Sequence, residues 1–193
     1  MKKFLMLLLL ITMVGCSKNE EPEPNNPLAP DPTVHRAQIT KLWAVNSPFL
    51  IYIMRLSDGT DAYMLRYRYS KDLHSGDEIS YQLSSVYPNE IVKINGESAG
   101  DDNDIKDAEF PSGGLVASDP IEADVVSVFT MKWQYYGLTM FLLPFESRFI
   151  ETPERLIYVK ASKLTTELAA GDRIVYNVYT LFPHEVLAIK KLN

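Results

Sequence analysis

The sequence predicts an all-β body made of two tandem, small five-stranded barrels related by internal duplication. Three observations carry that expectation. The segment Tyr63–Ile94 recurs as Tyr158–Ile189 at a constant offset of 95, with nine of 32 positions identical. Chance gives roughly two at average composition. The apolar segments are short, and they are β-branched or alternate with period two, as half-buried strands do. No segment between them keeps a 3.6-residue period, which leaves room for one helical turn near Ser70–Leu73 or Thr165–Ala169. With 46% hydrophobic and 23% charged residues, the chain has a globular composition, not a disordered or fibrous one.

Residues 1–15 read as a lipoprotein signal peptide. Lys2 and Lys3 precede an unbroken apolar run from Phe4 to Val14. Eleven residues at about 1.5 Å each give roughly 16 Å, half of a bilayer core, so the run is too short to span. Met13-Val14-Gly15-Cys16 resembles the lipobox of bacterial lipoproteins, and Cys16 is the sole cysteine. The expected modification is lipidation of Cys16. Cleavage there leaves 178 residues (193 − 15) and, without Lys2 and Lys3, a charge of −8 (17 − 25). Residues 16–33 form the lipidated cysteine and a tether. Ser17 to Pro32 carries five prolines and one leucine, too little apolar surface to bury. Ser17-Lys18-Asn19-Glu20-Glu21 resembles the acidic export signal of surface lipoproteins in Bacteroidota-type bacteria; a plain solvated linker is the other reading. The expected location is the outer membrane, at the cell surface, with its periplasmic face as the alternative.

Residues 34–95 hold the first barrel. His35–Ala44 and Phe49–Leu56 are strands by composition and length. Asp58-Gly59 marks a hairpin, because Gly reaches positive φ without cost. Gly76-Asp77 turns the chain into the alternating strand at Ile79, and Pro88 ends that ladder. Residues 96–121 are an acidic, Gly- and Pro-rich connection. Asp101 to Asp104 lack the glycine and the twelfth-position glutamate of a calcium loop, so a solvated acidic loop is the better reading. Residues 122–193 hold the second barrel, with Asp124–Trp133, Thr139–Phe145 and a strand starting at Ile174. Upstream of Tyr158 the repeat resumes at offset 90, where Thr40 and Trp43 meet Thr130 and Trp133.

Gly171-Asp172-Arg173-Ile174-Val175-Tyr176-Asn177-Val178-Tyr179-Thr180 resembles the fourth strand of OB-type barrels in NigD-like lipoproteins of Bacteroidota. Gly76-Asp77-Glu78-Ile79-Ser80-Tyr81 resembles the same strand. The likeness covers about twenty residues in each copy. It implies OB-like barrels and a surface or periplasmic lipoprotein with no catalytic residue to carry over. That family joins one OB-type barrel to a different β-sandwich, whereas this chain repeats its unit.

Chemistry-bearing motifs are scarce. His35, His74 and His184 form no ligand pair, one cysteine excludes a disulfide or a Cys-based metal site, and no Gly-x-Ser-x-Gly elbow or phosphate loop occurs. No catalytic residue, metal or cofactor is therefore expected, and a net charge of −6 argues against nucleic acid. Asp77 and Asp172 read as turn residues. Glu90 and Glu185 recur in both copies, with a salt bridge or turn contact a better reading than catalysis.

The expected contact surface lies on the first hairpin. A two-residue loop at Asp58-Gly59 pairs residues whose numbers sum to 117, so Leu50, Tyr52, Met54, Tyr63, Leu65 and Tyr67 share the inner face. The outer face then carries Phe49, Ile51, Ile53, Met64, Arg66 and Arg68, apolar and basic together. It reads either as a site for an acidic or sugar ligand or as an interface to the second barrel. The expected function is non-catalytic ligand or partner binding at the cell surface. The expected partners are the membrane, through the lipid, and a glycan, a peptide or an envelope protein. A structural accessory subunit of an outer-membrane assembly, and an enzyme of unknown class, are the rival readings.

Overall fold

The computed structural model describes residues 33–47, 49–66, 69–98, 116–136 and 139–192. Cys16, its tether and the acid-rich stretch at 101–104 lie outside these residues. The fold is all-β. In the first half, β1 (His35–Ser47), β2 (Phe49–Leu56), β3 (Asp61–Leu65), β4 (Glu78–Leu83), β5 (Ile91–Ile94) and β6 (Glu97–Ser98) form one sheet in the order β3-β2-β1-β4-β5-β6. In the second, β7 (Ile121–Asp124), β8 (Ser127–Tyr136), β9 (Thr139–Glu151), β10 (Leu156–Lys160), β11 (Arg173–Val178) and β12 (Val186–Leu192) form two sheets, β10-β9-β8 and β12-β11-β7. A 3₁₀ turn at Ala161–Lys163 follows β10, slightly earlier than the helical turn the sequence suggests.

The two second-half sheets correspond to one sheet of the first half with its long strand interrupted. β1 pairs with β4 over His35–Gln38 and with β2 from Ile39 onward. The second half divides the same job between β7, which pairs with β11, and β8, which pairs with β9. The hinge of each long strand is held alike. Ile39 donates its amide to Asp77 O (2.8 Å) and accepts from Gly76 N (2.7 Å); Val125 donates to Asp172 O and accepts from Gly171 N, both at 2.8 Å. Gly76 and Gly171 sit at φ +101 and +88, which explains the glycine in both copies.

The expectation of closed barrels is met only as far as the all-β architecture. Among the described residues, β3 meets the chain before β5 at a single parallel bridge, Tyr63↔Glu90, and β10 meets the chain before β12 at Tyr158↔Glu185. Neither bridge grows into a ladder. Just before each bridge, Pro88 and Pro183 lack an amide hydrogen, and the chain turns there: Glu90 N donates to Tyr87 O and Glu185 N to Phe182 O.

The predicted hairpin register is off by one. Met54 pairs with Ala62, Ile53 with Tyr63, Tyr52 with Met64 and Ile51 with Leu65, so partner numbers sum to 116. The loop is Ser57-Asp58-Gly59, one residue longer than a two-residue turn. Gly59 at φ +90 donates to Leu56 O (3.1 Å), and Leu56 N donates to Thr60 O (2.9 Å). This is a type I turn closed by a glycine bulge, which shifts one strand by a residue. The Asp58 carboxylate accepts from Thr60 N (2.9 Å) and Tyr81 Oη (2.7 Å), tying the turn to β4. Space around Gly59 is open, so Gly59→Ala carries backbone strain alone. We expect it to cost about 1–2 kcal/mol in chemical denaturation; an unchanged midpoint would contradict the turn assignment.

Three apolar clusters hold the body. One lies within the first half, around Ile39, Met54, Met64, Ile79, Tyr81 and Ile94. One lies within the second, around Val125, Ile150, Ile157, Ile174, Tyr176 and Val186. The third takes residues from both halves and forms the joint between them.

Candidate functional site

The joint is built from the outer faces of the two β-hairpin layers. Cross-strand register aligns Trp43, Ile53 and Tyr63 in one row of the first half. It aligns Phe129, Phe149 and Tyr158 in one row of the second. All six are packed in the shared cluster, and Trp43 stacks on Phe129 with centroids 5.8 Å apart. Each half therefore contributes the same row. This corrects the expected upstream match: Trp43 corresponds to Phe129 and not to Trp133, because Tyr63 and Tyr158 anchor the rows.

The extra residues of the second copy fall in the β8–β9 hairpin. From Phe129 to Phe149 the chain takes 20 steps (149 − 129); from Trp43 to Ile53 it takes ten (53 − 43). The longer hairpin is an arm that reaches over β3 of the first half. Trp133 lies fully buried there, edge-on to Tyr158 (4.6 Å), Phe149 (5.0 Å) and Tyr63 (6.3 Å), and its indole N–H donates to Ser147 Oγ (3.0 Å). Tyr135 meets Tyr63 edge-on at 5.9 Å. Lys132 N donates to the Asn89 side chain (3.1 Å), which itself donates to Asp61 O (2.8 Å). At the opposite side, Lys41 Nζ holds both Glu151 carboxylate oxygens at 2.7 Å, Ser127 Oγ donates to Glu151 at 2.6 Å, and Arg55 lies over the Phe129 ring. Burial pushes the Glu151 carboxyl up, but the Lys41 and Ser127 hydrogen bonds outweigh it and leave it below the usual range.

The six residues expected to form one contact face are separated by the corrected register. Ile51 and Ile53 lie fully buried in the joint. Met64 lies on the other face of the sheet, fully buried in the first-half cluster. Arg66 is exposed and donates to Tyr52 Oη (2.9 Å) and Asp72 (3.0 Å). Phe49 belongs to β2, but its side chain lies outside the described residues, as does Arg68 altogether. A ligand patch made of all six therefore does not exist, and the face they were assigned to is mostly an internal interface.

Tyr63 shows the cost of that joint. Among the described residues its buried hydroxyl has no partner at hydrogen-bond geometry, the Gln134 backbone being the polar group beside it, and burial holds its pKa well above 10. We expect Tyr63→Phe to hold or raise stability by about 1 kcal/mol, because it removes an unsatisfied buried group. A loss exceeding 1 kcal/mol in urea denaturation would show that the hydroxyl has a partner.

The recurrent acids divide into two kinds. Asp77 and Asp172 are turn residues: Asp77 accepts from His74 N and Asp172 from Ala169 N, both at 2.8 Å. Glu90 and Glu185 are buried at 3% and 5% exposure, each at a parallel bridge. Glu90 faces the arm, where Gln134 Nε2 approaches to 3.5 Å. Burial pushes the Glu185 carboxyl up to about 7, against the attraction of Lys163. Of the histidines, His35 stacks on Tyr81 (5.1 Å), while burial lowers His184, whose Nδ1 lies 2.7 Å from Leu156 O. Among the described residues no group of His, Cys, Asp and Glu is arranged to hold a metal ion. A shallow recess of about 90 Å³, lined by Val34, Ser80, Tyr81, Gln82, Lys93 and Gly96, is well below the size of ordinary small-molecule sites.

No family model matches the chain, and neither a curated protein nor a solved structure matches it. The reading of function rests on the residues themselves.

Proposed function

We propose that the chain is a lipid-anchored cell-envelope protein whose body is a tandem pair of OB-like modules, and that it acts without catalysis by binding a partner at the cell surface. The order β3-β2-β1-β4-β5, its counterpart β10-β9-β8/β7-β11-β12, and the parallel bridges at Tyr63 and Tyr158 support the OB-like reading. The observation that carries the functional reading is the joint. In OB-type barrels the second and third strands ordinarily offer the ligand face. Here the corresponding faces, with Ile53 and Tyr63 on one side and Phe149 and Tyr158 on the other, are buried against each other. That burial favours a protein or membrane partner over a glycan held on the β2–β3 face. It equally favours the second reading, a structural accessory subunit of an outer-membrane assembly.

Two measurements test the proposal. Intact mass of the mature protein from membranes should show a diacylglyceryl group on Cys16, and Cys16→Ala should release the protein from the membrane fraction. A mature N-terminus elsewhere, or a membrane-bound Cys16→Ala variant, would reject the anchor. Protease shaving of intact cells should digest the body if it faces outward; full protection would place it at the periplasmic face. Specific array binding of a glycan by the folded protein would reject the partner reading.

A further inference from the structure

We propose that Lys41, Arg55 and Glu151 form a pairing code in the joint, by which the first half accepts the second and a second copy of either half is rejected. It rests on the proposed tandem pair of modules. Strand register fixes which positions correspond. Lys41↔Arg55 lies two steps along the ladder from Trp43↔Ile53 in the first half, as Ser127↔Glu151 does from Phe129↔Phe149 in the second. Trp43 therefore corresponds to Phe129, Lys41 to Ser127 and Arg55 to Glu151. Surfaces that meet head to tail bring a residue to a different position, whereas a two-fold brings it to its own counterpart. Trp43 stacks on Phe129, its counterpart, at 5.8 Å, so the joint has the contact pattern of a two-fold dimer within one chain.

The charges break that symmetry. Lys41 Nζ holds Glu151 across the joint at 2.7 Å. The two-fold mate of this contact sets Arg55 opposite Ser127, an uncharged residue. Arg55 instead lies 4.5 Å from the Phe129 ring centroid and holds Asp61 of its own half at 2.9 Å. Against the upward push of burial, Lys41, Ser127 and Arg55 hold the Glu151 carboxyl below its usual range, so Arg55 acts on its own counterpart. The same surfaces paired like to like lose these partners. Two first halves would set Lys41 against Arg55 on both sides of the axis, and one Arg55 against the other. Two second halves would set one Glu151 against the other, with Ser127 in place of each lysine. The Glu151 side chain is 13% exposed and that of Arg55 28%, so salt screens such repulsion only in part. The arm does not supply the rejection. Trp133 covers Tyr63 but also packs on Tyr158 of its own half, so it adds attraction to the unlike pair and no charge against a like one. Discrimination needs a repulsive element beside the attractive one, and like charges brought together at a contact provide it. The consequence is a chain that closes on itself and takes no second copy on either face, even where lipid anchors crowd copies together.

The test uses the whole mature chain with Cys16→Ala, which keeps it out of membranes, and with a protease site placed between Ser98 and Val116. The folded chain is cut, then unfolded in urea and refolded, so that every pairing of halves is open to it. Native mass spectrometry counts the pairs, because the halves differ in mass. In the parent we expect unlike pairs in roughly tenfold excess over like ones. With Glu151→Gln, which keeps the shape and removes the charge, pairs of second halves should rise roughly tenfold. An unchanged count in that variant, or a statistical mixture in the parent, would overturn the pairing code. Circular dichroism of the same samples separates the two levels of the argument. A strand signal lost on cutting and refolding overturns the tandem reading and the code with it; a kept signal with an unchanged count overturns the code alone. The uncut chain gives a second check. Lys41→Glu should lower the melting temperature, and Lys41→Glu combined with Glu151→Lys should recover at least about half of that loss. Losses that simply add would overturn the code.

Discussion

Trp133→Ala should remove about 3–5 kcal/mol of stability and destabilise both halves at once. The side chain is fully buried, lies edge-on to four other rings and satisfies its N–H on Ser147. Deleting a buried indole forfeits its transfer free energy and leaves a cavity that neighbouring strands fill poorly. Because Trp133 belongs to the second half but touches Tyr63 of the first, the loss should be shared. Urea denaturation followed by far-ultraviolet circular dichroism and by fluorescence of the remaining Trp43 should give coincident, shifted transitions. A loss below 1 kcal/mol, or a first-half signal that does not move, would mean that the two halves do not share a core.

Glu185→Gln should stabilise the protein at pH 8 by up to about 3 kcal/mol and flatten the dependence of its stability on pH. The carboxyl is 5% exposed, and its pKa is pushed up to about 7 from the usual 4.5, chiefly by burial. The folded state therefore holds a proton that the unfolded chain releases between pH 4.5 and 7. Stability from this group is fully present below about pH 4.5 and is lost as pH rises through 7. A shift of 2.5 (7 − 4.5) corresponds to roughly 3 kcal/mol as a ceiling. Glutamine keeps the shape and removes the charge, so its advantage should be absent near pH 4.5, grow as pH rises from 4.5 to 7 and level off above 7. Melting temperatures of the two proteins between pH 4.5 and 8 decide it. A glutamine variant that is less stable at pH 8 would show that the ionised carboxylate is held by a partner.

Much of the local structure was legible from residue type and spacing. The strands at His35, Phe49, Ile79 and Ile174 follow from β-branched and alternating residues, and the turns at Gly76-Asp77 and Gly171-Asp172 from glycine at positive φ with a short acceptor side chain. Both aspartates serve those turns, as their repetition suggests. The register of the first hairpin was not legible. Asp58-Gly59 fits a two-residue and a three-residue loop equally well, and the chain takes the three-residue loop, in which Tyr81 Oη reaches Asp58 from β4. One residue of shift moves each side chain to the other face, so the expected contact patch became two buried surfaces.

The upstream repeat misled for a related reason. Trp43 and Trp133 match as letters, but rows are set by pairing across strands, and the second hairpin is ten residues longer. Buried Glu90 and Glu185 were visible as recurring residues, but their burial depends on chain turns at Pro88 and Pro183 and on the arm over Glu90.

By itself, the sequence determined that this chain is rich in β-strands, that a pattern of residues with glycine-aspartate turns recurs at an offset of 95, and that a basic and apolar stretch, a lone cysteine and a proline-rich stretch stand ahead of it. These are short-range facts, written in periodicity and backbone preference. Only the tertiary structure decided that both outer faces close on each other, that a ten-residue arm crosses between the halves, and that Leu143 stands outside the core. Those depend on contacts between residues far apart in sequence, where one bulge changes which side of a strand is buried.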